Sequence, residues 1–237
     1  MAAQFQSTRW SLIRQAADPE NSSLRERAWS EFDDLYRRPL FAFIRRWGWR
    51  EPEAEDLLQG FLAKLANRDW LADADEERGK MRTFLLNRLK AHLLDARKHD
   101  AAQKRGGGVE QISVDDSSAA AEQLLAEEPD TRVFDREWAQ ALFDRVLAGL
   151  QSIAEAAGNG EVCRLLRAQL TEDSPERLRE VAARLGRTEG SVRMALQRMR
   201  DQFRSRMRAE VAETLLPGEP AESVKAELEY LASVLRG

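Results

Sequence analysis

Residues 181–200 read VAARLGRTEGSVRMALQRMR. Val181, Ala182 and Leu185 recur at helical spacing and stop at Gly186, and a second periodic segment opens after Thr188 with Val192 and Ala195. With Leu178 as the first residue of the unit, Val181, Leu185, Val192 and Ala195 fall where two short helices must bury contacts. Ala182 sits where the helices cross and only a small side chain fits. Gly186 takes the turn, where a positive φ is cheap only for glycine, and Thr188 is placed to cap the second helix. This pattern predicts a helix-turn-helix whose second helix is cationic. A helix of that kind enters the major groove with its N-terminal residues at the bases. In this register Arg193, Met194 and Gln197 face that way, whereas Arg187, Arg198 and Arg200 are placed for phosphates, which fix position without reading sequence.

The unit has a clear start. In Thr171-Glu172-Asp173-Ser174-Pro175, Ser174 is a cap residue and Pro175 a first-turn residue. Its charge is local. From Glu176 to Arg208 ten arginines stand against four acids, a net of +6, although the whole chain of 237 residues carries a formal charge of −4. From Arg78 to Arg105 nine Lys/Arg stand against two acids, a net of +7, and between the two islands Glu110 to Gln140 has a net of −7. Two places suited to polyanion are thus separated by one that repels it.

Outward from these islands the periodicity is helical throughout. Leu24, Ala28, Phe32 and Leu35 share a face, Pro39 restarts the chain, and Leu40, Phe43, Ile44 and Trp47 share the next. Further apolar stripes run through Leu57, Leu58, Phe61, Leu62 and Leu65, and through Met81, Leu85, Leu89, Leu93 and Ala96. More follow through Phe134, Trp138, Leu142, Val146 and Leu150, from Val162 to Leu170, and through Val224, Leu228, Leu231 and Leu235. The expectation is an all-α protein of two helical domains joined by an acidic flexible linker, the second domain containing the helix-turn-helix. The expected boundaries are a helical bundle over 1–105, a linker over 106–130, a second domain over 131–210 and an acidic helical extension over 211–237. No stretch of about 18 apolar residues spans a membrane, no signal peptide is evident at MAAQFQSTRWSLIRQ, and the single Cys163 forms no internal disulfide and reads as a buried thiol. A cytoplasmic protein without cofactor or metal is expected.

The first basic island is one helix with Arg82, Arg88, Lys90, Arg97 and Lys98 outside its apolar stripe, preceded by a loop bearing Trp70 and Gly79. A basic helix beside an aromatic loop can hold single-stranded DNA through phosphates and unstacked bases; the plain alternative is a solvated charged face.

The order of these parts resembles the sigma factors of the extracytoplasmic-function type. PEAEDLLQGFLAKL, residues 52–65, resembles their polymerase-docking helix, and MRTFLLNRLKAHLLDARKHDAAQKR follows at the family's distance. REVAARLGRTEGSVRMALQRMR resembles the second DNA-binding domain, and STRWSLI, KRGGG and FDREWAQAL resemble one branch of the group. The resemblance implies a non-catalytic initiation factor whose partners are core RNA polymerase and promoter DNA, duplex and single-stranded, with room for an anti-sigma or other regulatory partner. It implies that Glu53, Glu55, Asp56, Gln59 and Leu62 face the polymerase. Trp70, Arg82, Asn87, Arg88, Lys90, Arg97 and Lys98 would hold the minus-ten strand, the loop from Asp69 to Lys80 receiving a flipped base. Arg187, Thr188, Ser191, Arg193, Met194, Gln197, Arg198 and Arg200 would serve the minus-thirty-five duplex. Gly60 stands where the family often carries an acid, and Phe84 lacks the neighbouring tryptophan of many relatives.

The charge balance agrees with a large partner. Opening about five base-pair steps costs roughly 7 kcal/mol at about 1.4 each, whereas stacking one flipped base returns about 1–3 kcal/mol. A small acidic chain needs a second set of DNA contacts, and Glu53, Glu55 and Asp56 can meet a basic partner surface or simply favour the N-terminus of their own helix. Two other readings use the same residues. One is a stand-alone helix-turn-helix regulator that does not bind polymerase and dimerises through Val224 to Leu235. The other is a metal-dependent nuclease built on Glu53, Asp56 and His92 or His99, for which no second ligand stands at suitable spacing.

Overall fold

A computed structural model describes residues 21–66, 80–104, 130–170, 174–215 and 219–236. Trp70 and the rest of its loop up to residue 79, the STRWSLI and KRGGG segments and nearly all of the expected linker lie outside the described residues.

Among the described residues every regular element is helical. The order is α1 (Ser22–Arg46), α2 (Glu51–Leu65), α3 (Met81–Lys104), α4 (Arg132–Ala156), α5 (Gly160–Leu166), a 3-10 turn (Arg167–Gln169), α6 (Pro175–Leu185), α7 (Glu189–Ala212) and α8 (Ala221–Arg236). No helix among them is long and apolar enough to cross a membrane.

Local chemistry explains several of the helix ends. Asn21 caps α1 by accepting the Leu24 N–H at 3.1 Å. Ser174 caps α6 by accepting from Arg177 N, with Pro175 at the first position. Thr188 caps α7 by accepting from Ser191 N. Gly186 ends α6 at φ +61°, the left-handed region in which a Cβ is strained.

Pro39 does not divide α1. The expected restart is replaced by one continuous helix from Ser22 to Arg46 with Pro39 inside it. A mid-helix proline costs about 3 kcal/mol through its missing N–H and ring clash. Here the turns on either side bury Leu35, Tyr36, Leu40, Phe43 and Ile44 almost completely, and that burial outweighs the lost bond.

Two apolar cores result. The first joins Phe32, Tyr36 and Phe43 of α1, Leu58 and Phe61 of α2 and Leu85, Leu89 and Leu93 of α3 with Phe134, Trp138 and Leu142 of α4, Val211 of α7 and Leu231 of α8. The second joins Val146 and Leu150 of α4 with Cys163, Leu166, Leu178, Val181, Ala182, Val192, Leu196 and Met199. A single helix, α4, therefore serves both: its N-terminal half lies on α1 and its C-terminal half on α5 and α7. Polar contacts follow the same path. Arg38 of α1 meets Glu137 at 2.6 Å, and Arg145 of α4 pairs with Glu31 of α1 and, at 3.6 Å, with Glu210 of α7. The apolar stripe of α8, with Val224, Leu228, Val234 and Leu235 beside Leu231, packs on the first core.

Candidate nucleic-acid and partner interface

The α6–turn–α7 unit is assembled as its sequence demands. Leu178, Val181, Ala182, Val192, Leu196 and Met199 are buried, and Leu185 and Ala195 pack beside them. The turn closes with Arg187 N donating to Ala182 O at 3.0 Å and Gly186 N to Ala183 O at 3.2 Å. Thr188, Ser191, Arg193, Met194 and Gln197 are exposed, Met194 to 56%.

Five of the eight residues expected at duplex DNA line two separate hollows beside α7. Arg193, Gln197 and Arg200 line one hollow with Pro175, Leu178 and Leu196. Arg187 and Arg198 line the groove on the other side, with Ile153, Val162 and Met199. At about 100° per residue Arg198 stands about 140° around the helix from Arg193, so the two arginines cannot address one base step. Two of the eight are also engaged within the chain. Arg200 Nη2 donates to Gln169 O at 2.7 Å, bracing the 3-10 turn, and the Gln197 amide donates to both Asp201 oxygens at 3.1 and 3.2 Å. Arg193 and Met194 stand exposed among the base-facing candidates.

On α2 the acidic triplet divides in the same manner. Glu53 accepts the Arg50 backbone N–H at 3.0 Å and its guanidinium at 2.5 Å, so it secures the helix start. Glu55 meets Arg37 of α1 at 3.0 Å. Leu62 is half-buried against the first core. Asp56 and Gln59 are exposed and lie about 60° apart on one side of the helix. Among the described residues no group of three His, Cys, Asp or Glu side chains is placed to hold a metal ion, and the His92 ring is taken up by Leu57 O and Lys64.

His92 is the part of this region that spacing alone did not reveal. Although it lies within the basic α3, it is buried to 8% exposure between α3 and α2, with Gly60 beside it at ordinary contact distance. A Cβ added at Gly60 would lie 3.6 Å from His92 Nε2. The ring spans Leu57 O and Lys64 Nζ, each at 3.1 Å. Nε2 donates to the carbonyl, which leaves Nδ1 to accept from the ammonium. Burial, and then the Lys64 charge, hold its pKa below the usual 6.5. The neutral ring belongs to the folded state, so stability is complete above pH 6.5 and declines as pH falls below that value, where only the unfolded chain takes up the proton. Urea melts at pH 7.5 and 5.5 should show a loss on acidification that His92→Gln reduces; equal pH sensitivity in the two proteins would remove His92 from this role.

The cations of α3 occupy three environments. Asn87 and Lys98 are exposed and share a side, about 20° apart on the helix. Arg88 lies over the Phe84 ring at 5.6 Å, and Lys90 is half-buried beside that face. Arg97 is turned into the fold: Nη2 donates to Trp47 O at 2.5 Å while the guanidinium lies over Trp47 and Trp49. Arg82, about 140° around the helix from Asn87, is enclosed. Its side chain is 12% exposed, with Nη1 2.8 Å from Glu227 Oε1 and 3.3 Å from Asp135 Oδ1. The guanidinium lies between the rings of Trp138 and Tyr230, 5.5 and 5.0 Å from their centroids. The Tyr230 hydroxyl donates to Asp135 Oδ2 at 2.5 Å, and burial together with that bond pushes its pKa up to about 12.

Comparison with protein-family models, with curated proteins and with solved structures gives no match.

Proposed function

We propose that this chain is a promoter-specificity subunit of the sigma type, which binds core RNA polymerase and directs where transcription starts. The observation that carries the reading is the pairing of two cationic helices in one all-helical chain, each with its own exposed polar face. α7 offers Arg193 and Met194 beside a turn built on Ala182, Gly186 and Thr188, in the manner of a helix-turn-helix that reads duplex DNA. α3 offers Asn87 and Lys98 along one side for a melted strand. The exposed side of α2, Asp56 and Gln59, is the surface for the polymerase. The chain contributes base discrimination, and the enzyme contributes the remaining DNA contacts that an acidic polypeptide lacks. No bond is made or broken by the subunit itself.

The stand-alone regulator is less well supported. Its dimer surface would be the apolar stripe of α8, yet Leu231 is 2% exposed and its neighbours on that stripe pack against the chain's own first core.

The test is run-off transcription from a promoter library by core polymerase with and without the chain, together with retention of the enzyme on the immobilised protein. Gain of selective start sites is expected. Asp56→Arg should lower polymerase retention about fivefold or more, the scale of a reversed charge in a complementary interface, with the fold intact because Asp56 is exposed. An unaltered retention would assign the α2 surface another role, and no polymerase binding by the wild-type chain would overturn the proposal.

A further inference from the structure

We infer that α8 is a built-in competitor for nucleic acid: Glu227 occupies, in place of a phosphate, the anion-binding position made by Lys80 and Arg82 at the start of α3. The inference rests on reading α3 as a strand-binding helix.

Glu227 is 2% exposed and is held by cations from a segment 145 and 147 residues away in sequence. Lys80 Nζ lies 2.5 Å from Oε2, and the Arg82 guanidinium reaches both carboxylate oxygens, at 2.8 and 3.3 Å. A guanidinium takes a carboxylate or a phosphate with the same two-pronged geometry, so the two anions are mutually exclusive here. The remainder of α8 keeps the cover in place. Tyr230 lies over Arg82 and bonds to Asp135, and Leu231 enters the first core. Arg82 therefore keeps an acidic partner, Asp135, when Glu227 leaves. Arg82, 12% exposed, becomes available to a strand only when α8 lifts, whereas Lys80, 45% exposed, has only to release Glu227.

Competition is reciprocal. Whatever weakens α8 docking must strengthen strand binding, and a bound strand must loosen α8. The experiment uses the full chain and a fluorescent single-stranded oligonucleotide, read by anisotropy. Glu227→Gln should bind about 5- to 150-fold more tightly than the wild type, the range of coupling between two linked sites. Its affinity should also depend more steeply on salt, the log–log slope growing by about 1.4 for two added phosphate contacts at about 0.7 each. Glu229→Gln removes the same charge from the exposed side of α8, where Glu229 meets Lys225 at 3.9 Å, and should change affinity less than twofold. In the wild-type protein, hydrogen exchange over residues 221–236 should quicken when the oligonucleotide is added.

Equal gains in the two variants would reduce the effect to general charge and overturn the inference. So would unchanged affinity in Glu227→Gln with unchanged exchange in α8. Polymerase retention is read separately. A chain that fails to bind polymerase but tightens on DNA in Glu227→Gln keeps the competitor and loses the sigma reading. A chain that binds polymerase but shows no effect of Glu227→Gln does the reverse.

Discussion

Replacing Trp138 by alanine is expected to destabilise the protein by about 3–5 kcal/mol, the usual cost of emptying a large aromatic site. Trp138 is fully buried and stands where three parts of the chain meet. It packs in the first core with α1 and α3 residues, and the Arg82 guanidinium lies over its ring at 5.5 Å and over the Tyr230 ring of α8 at 5.0 Å. The cavity therefore does more than remove apolar contacts. It leaves Arg82, Asp135 and Glu227 with water on one side, so the docking of α8 loosens as well. A domain's whole stability is about 5–15 kcal/mol, and a loss of this size should move the urea midpoint markedly. The result also bears on architecture. If residues from 131 onward formed a unit independent of the first helices, Trp138→Ala would leave the unfolding of α1 to α3 unchanged. Here α1 and α4 share one core, so hydrogen exchange in α1 should rise together with that in α4. A loss below about 1 kcal/mol, or a rise confined to α4, would show that the shared core contributes little.

Arg193→Ala carries the second large effect, on recognition. Arg193 is exposed and lines the hollow bounded by Pro175 and Leu178. Gln197 next to it is engaged with Asp201, and Arg200 with Gln169 O. An arginine bidentate to guanine is worth about 1–3 kcal/mol of discrimination, or about 5- to 150-fold between the preferred and substituted base. The substitution should flatten selectivity at one position of a duplex element and leave the fold intact, since Arg193 is exposed. Binding selection from a randomised duplex library, before and after substitution, measures this directly. A preference that survives at every position would move the reading residue elsewhere on α7, with Met194 next in line.

The contrast between Arg193 and Arg82 shows where the sequence is legible. Both arginines fall outside the apolar stripe of a cationic helix, and both were expected at DNA. For Arg193 the neighbouring structure is local: Ser174, Pro175, Gly186 and Thr188 set the ends of α6 and α7 within a few residues, so the position of the side chain could be read from spacing. For Arg82 it is not. The groups that enclose it, Asp135, Trp138, Glu227 and Tyr230, lie 53 to 148 positions away, and no helical periodicity states which distant helix will cover a given face. Arg97 over Trp47 and Trp49 repeats the lesson at a separation of about 50 residues.

The sequence by itself determined the all-helical class, the apolar stripe of each helix, the glycine turn with its two caps and the two cationic islands. Each of these is set by interactions within about one or two helical turns, where propensity, capping and periodicity act directly. Tertiary structure alone decided that α1 runs through Pro39, that α4 serves two cores, that His92 is buried beside Gly60 and that Glu227 closes over Lys80 and Arg82. These depend on which surfaces find each other after the helices exist, and there burial of distant side chains outweighs local preference by several kcal/mol.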